Sequence, residues 1–105
     1  MNKQEKEKLF ETYLHEKGLC ELYWLLENAG IKEYGGENVK EHRREMWYGL
    51  CQWAMMFHAL GIESDEIYPL DDKAREWAFG SFDAIADKKE KERIHKRTVA
   101  GKWIA

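Results

Sequence analysis

Proline occurs once in 105 residues, and cysteine, serine, threonine and valine twice each. Cys20 and Cys51 have neither the short paired spacing of a zinc site nor the density of a small secreted disulfide scaffold, so both are expected as buried, reduced thiols in a cytoplasmic protein. Ser64 and Ser81 lie outside any nucleophile-elbow context, which leaves acyl transfer without a nucleophile. Two valines, two threonines and six isoleucines are few β-branched residues beside the abundant Glu, Lys, Leu and Ala, a balance that favours helix over sheet. The most apolar run, Met46 to Leu60, is interrupted by Gln52 and His58 and falls short of the roughly 20 residues a bilayer span needs. The polar stretch Met1 to Lys8 has no apolar segment behind a basic start, so no secretory signal is expected.

Aromatics, by contrast, are plentiful: five tryptophans, five tyrosines and four phenylalanines. Leucine, isoleucine, valine and phenylalanine alone would place the chain close to disorder, and the remaining aromatics bring it into the folded range. At this length there is material for one core, so a single domain is expected. A helical body over 1–87 and a basic tail over 88–105 belong to that one domain. The tail nets +5 and the body −8, which together make the overall −3.

Glycines set the expected helix ends. Gly18, Gly30 and Gly61 each stand between apolar residues four before and one after (Leu14/Leu19, Leu26/Ile31, Phe57/Ile62), the pattern of a Schellman ending. Helices are therefore predicted over about 3–17 and 19–29. Ile31 to Glu37 is a loop that leads to Asn38 as N-cap of a long helix through Leu60. On that helix Met46, Leu50, Trp53, Phe57 and Leu60 alternate steps of four and three, and Trp47, Cys51, Ala54, Met55 and Met56 make its other faces apolar too, so it is expected to be central and buried nearly all round. Ser64 to Glu66 begins a capped turn, and Asp71 or Asp72 caps a further helix whose stripe runs through Ala74, Trp77, Ala78, Ser81, Phe82 and Ile85, with Gly80 inside it. The fold class is all-α: a compact bundle of four to five helices around the helix at about 38–60, with a C-terminal tail able to extend as helix.

No catalytic, metal or cofactor motif stands out. His15, His42, His58 and His95 do not share ligand spacing with the cysteines, and Glu92-x-x-His95 has no second copy. Carboxylates at four-residue spacing (Glu37/Glu41/Glu45, Asp72/Glu76, Asp83/Asp87) lack the order of the all-α nucleotide pyrophosphohydrolases and also suit solvated helix faces. No enzyme activity, metal or cofactor is expected.

Three binding functions remain. Trp, Tyr, Met and Arg are the residues enriched at interface cores, and Trp24, Trp47, Tyr48 and Trp103 fall off or border the apolar stripes, so these four are the expected contact residues for a protein partner or a second copy. The favoured function is a small interaction protein, acting as homo-oligomer, adaptor or inhibitor, of a size that phages and mobile elements encode. The alternative is a binder of a small phosphorylated ligand such as a nucleotide, with Gly35 and Gly36 leading into a helix N-terminus, Lys40, Arg43 and Arg44 for charge and Tyr34 for stacking. The third is nucleic-acid binding through Lys88, Lys89, Lys91, Arg93, Lys96 and Arg97 of the tail, in competition with an acidic body.

Overall fold

The computed structural model describes the backbone of residues 1–99 and side chains as far as Lys89. It is all-α but contains three helices, not four or five: α1 (Lys3–Asn28), α2 (Val39–Ala59) and α3 (Ser64–Val99), with a two-stranded antiparallel ribbon, β1 (Glu33–Tyr34) and β2 (Glu37–Asn38), between the first two. No described helix is long and apolar enough to cross a membrane.

Two of the three glycine endings are as expected. Gly30 and Gly61 sit at φ 78° and 71°, and in each case the glycine N–H and the following N–H donate back to the last turn: Gly30 to Glu27 and Ile31 to Leu26, Gly61 to His58 and Ile62 to Phe57. Gly18 departs from the expectation. It is buried in the middle of α1, which runs unbroken through it, and a Cβ there would stand 3.0 Å from Cε3 of Trp77. The glycine serves close approach to α3 rather than a left-handed turn, and the two helices expected on either side of it are one.

The C-terminal elements merge as well. Glu66 accepts the backbone N–H of Glu63 at 3.1 Å, which caps the start of α3. Pro69 removes one internal hydrogen bond in the second turn without ending the helix. The turn at Ser64, the helix expected from Asp71 and the tail as far as Val99 are therefore one continuous element.

Helix α1 is the centre of the fold, in place of the helix at 38–60. Both other helices pack on it, whereas α2 and α3 scarcely approach each other. Residue pairs give the directions. Lys6 pairs with Glu66, Tyr13 with Asp71 and Gly18 with Trp77, so α1 and α3 run parallel. Phe10 meets Phe57, Glu16 accepts from Trp53 and Glu27 pairs with Arg43, so α2 runs antiparallel to α1. Burial agrees, because α1 carries six buried residues and α2 only Val39 and Phe57. With a single neighbour, α2 cannot be covered on all sides.

The core has two parts. Near the start of α1, Phe10, Tyr13, Trp53 and Phe57 pack ring against ring, Trp53 tilted on Phe57 and the other pairs edge-on, with centroids 5.1 to 6.1 Å apart. Near its end, Leu22, Tyr23, Leu26, Val39 and Ala78 form the buried cluster, with Met46, Phe82 and Ile85 packed against it. Ala74 and Ala78 show that the stripe expected on α3 faces inward, toward α1.

Two helix-interior glycines differ in the room beside them. Gly80, in the interior of α3, has open space around its missing Cβ, so Gly80→Ala is expected to stabilise by about 0.5–1 kcal/mol. Gly18→Val drives a branched side chain into Trp77 and is expected to cost about 1–3 kcal/mol; urea unfolding of both variants checks the opposite signs. Burial, and then the hydrogen bond to Asp71 (2.6 Å), push the Tyr13 phenol above its ordinary value of 10.0. The folded chain thus holds that proton more tightly than the unfolded one, so the contribution is complete below pH 10 and is lost as pH rises beyond it. The urea midpoint should fall on the alkaline side of pH 10, and Tyr13→Phe, itself costing about 1 kcal/mol at neutral pH, should flatten that fall.

Candidate functional site: an aromatic face on the first two helices

Leu22 and Leu26 turn the apolar side of α1 into the core, and Trp24 between them is left 49% exposed on the flank that faces α2. One helix away, Trp47 is 52% and Tyr48 64% exposed. Trp24 and Trp47 wall a cleft of about 270 Å³ that also contains Lys17, Cys20 and Glu21. The Arg43 guanidinium lies 4.9 Å from the Trp24 ring centroid and is held there by its ion pair with Glu27. At the other end of the cleft Glu21 accepts from Lys17 at 2.9 Å and lies 3.6 Å from Arg75 of α3. Burial pushes the Cys20 thiol up, which disfavours the thiolate and with it any nucleophilic role. The arrangement has aromatic walls and a rim of paired charges, suited to holding an apolar or aromatic side chain.

The residues expected at a phosphate site separate. Gly35 and Gly36, at φ 59° and 80°, form the two-residue turn of the β1–β2 hairpin. That ribbon carries Tyr34 onto Tyr23 at a centroid distance of 6.0 Å, where it joins the partly buried core. Arg43 turns the other way, to Glu27 and Trp24. Lys40 and Arg44 do line a cleft of about 510 Å³ at the start of α2, together with Lys32, but Glu27 and Glu41 line it too. The Asn38 side chain accepts the Glu41 N–H at 3.0 Å, so one of the free amides at this helix end is already taken.

Of the tail residues, Lys88 and Lys89 are exposed on α3. Lys91, Arg93, Lys96 and Arg97 lie on the same helix, with side chains outside the described residues, and Trp103 is outside them altogether. Among the described residues no three of His, Cys, Asp and Glu converge as metal ligands would.

The chain matches no protein-family model, no curated protein and no solved structure. What it can bind must therefore be argued from its own surface. Cys51 and Met55, expected inside, belong to that surface. Both are exposed, Met55 at 73%, on the side of α2 turned away from α1. Apolar periodicity reports which positions are hydrophobic, and only the number of neighbouring helices decides which of them are covered.

The two arginines of α2 are expected to behave differently. The Arg43 side chain is 16% exposed, paired and stacked, so Arg43→Ala should cost about 1–2 kcal/mol. Arg44 is exposed and has no ion pair among the described residues, so Arg44→Ala should stay within about 0.5 kcal/mol of the parent. Chemical denaturation of the two single variants measures the difference.

Proposed function

We propose that the protein is a non-enzymatic interaction protein, a homo-oligomer or an adaptor or inhibitor of a larger partner, that binds through Trp24, Trp47 and Tyr48. One observation carries this reading: Trp24 and Trp47, from two different helices, stand half-exposed as the walls of one cleft, with Tyr48 exposed next to Trp47 in the chain, although the chain has too little apolar material to leave such residues idle. Trp and Tyr combine large contact area with few rotatable bonds, which is why a few such side chains dominate binding energy at protein interfaces. The size of the chain suits a cytoplasmic accessory protein, those of phages and mobile elements included. A small phosphorylated ligand at Lys32, Lys40 and Arg44 ranks second, because Glu27 and Glu41 share that cleft and oppose an anion.

The test replaces Trp24, Trp47 and Tyr48 together with serine and compares the variant with the parent as bait, each also checked against itself. All three side chains are largely outside the core, so the variant is expected to keep its helical circular dichroism. It should lose at least ten-fold in affinity for whatever protein the parent binds. A parent that binds no protein, itself included, or a triple variant that binds as the parent does, overturns the proposal.

A further inference from the structure

Helix α2 has one face that the rest of the chain leaves largely exposed, bordered by α1 at Trp47 and by the start of α3 at Ala54 and His58. At about 100° per residue, Trp47, Tyr48, Ala54 and Met55 lie within roughly 60° of Cys51, and all five are exposed. Lys40 and Arg44 continue the face toward the N-terminal end and His58 toward the C-terminal end, again all exposed. Arg44, Tyr48, Cys51, Met55 and His58 step by four, three, four and three, the spacing of a seam along which two helices pack lengthwise.

We infer that this face is covered by the same face of a second copy, α2 against α2, antiparallel about a two-fold axis beside Cys51. The inference rests on the interaction reading above and names its partner. Such an axis sets residue i opposite residue 102 − i, so Trp47 meets Met55 and Tyr48 meets Ala54, each pairing made twice as two-fold symmetry requires. A bulky ring then faces a smaller or more pliable side chain on both halves of the interface. The parallel arrangement would instead put Trp47 on Trp47, Lys40 on Lys40 and Arg44 on Arg44.

Charge points the same way. In the antiparallel pair Lys40 comes level with position 62 of the second copy, just past the C-terminal end of its α2, where the helix dipole is negative. Among the described residues Lys40 is engaged in no ion pair within its own chain. The helix dipoles of the two copies also oppose. At about 200 Å² per large side chain, the exposures of Trp47, Tyr48 and Met55 leave roughly 400 Å² of mostly apolar surface in water. Lys40, Arg44, Cys51, Ala54 and His58, all exposed on the same face, enlarge the patch toward the roughly 800 Å² per partner of a standard interface.

The full chain is tested by sedimentation velocity from the low-micromolar to the hundred-micromolar range, together with oxidative crosslinking. The parent should form a dimer, and the pair of substitutions Tyr48→Glu and Met55→Glu, both at positions exposed in the single copy, should raise the dissociation constant at least ten-fold with helical circular dichroism unchanged. Copper–phenanthroline, as the added oxidant, should take two electrons from the facing Cys51 thiols to give one Sγ–Sγ bond and release two protons. The resulting covalent dimer should vanish in Cys51→Ser. A parent that is monomeric throughout, a dimer that survives the two glutamates, or a crosslink that persists without Cys51 overturns the inference. Where the parent stays monomeric yet binds a different protein through Trp24 and Trp47, only the self-pairing fails; where it binds no protein at all, the interaction reading fails with it.

Discussion

The contact between Gly18 and Trp77 is the constraint on which the rest of the molecule turns. A side chain at position 18 would hold α3 away from α1; its absence lets an indole ring lie against the backbone of the central helix. From that point Arg75 reaches Glu21, Ala74 and Ala78 are brought inside, and Phe82 and Ile85 are led to the Leu26 end of the core. α2 then takes the other flank of α1, where aromatic stacking with Phe10 and Tyr13 and the Arg43–Glu27 pair hold its two ends. Everything is attached to α1, and little is attached to anything else.

Three helices arranged in this way enclose a thin core. Leu26, Val39, Ala74 and Ala78 reach complete burial, and two of those four are alanines. A short chain buries a smaller fraction of its surface than a long one, and an elongated arrangement of 62 × 22 × 18 Å buries less than a round one of the same mass. Trp24, Trp47, Tyr48, Met55, Tyr68, Trp77 and Phe79 are left partly in water for this reason. Those on α1 and α2 lie on neighbouring positions, which is what separates a binding face from scattered exposure.

Local chemistry was legible in the sequence wherever it was decided locally. Asn38 as a cap and Gly30 and Gly61 as left-handed helix endings need only their immediate neighbours, and all three behave as their spacing predicts. Gly18 has the same flanking pattern and does something else, because what fixes its role is Trp77, nearly sixty positions away in the chain. The same distinction applies to α2. Its apolar faces were readable, but which of them is covered depends on how many helices stand beside it, and merging the expected four or five helices into three removed the cover. The sequence marks Gly35-Gly36 as part of a loop, although two consecutive glycines between short polar strands also signal a tight hairpin. That hairpin explains why Tyr34 sits with the core and not beside Lys40 and Arg44.

The length of α3 has an electrical consequence. Ile85 is the last large apolar side chain of that helix seen to pack on the core, and the backbone runs on as helix to Val99, about 20 Å further at 1.5 Å per residue. The lysine- and arginine-rich stretch of the sequence occupies that extension, while the acidic excess belongs to the residues before it. Charge of opposite sign is thereby separated along the long axis, and the molecule carries a permanent dipole far larger than its net charge of −3 suggests. A charged surface acts on such a molecule as a torque before it acts as an attraction, so the chain approaches end-first in a preferred orientation, and added salt weakens that alignment.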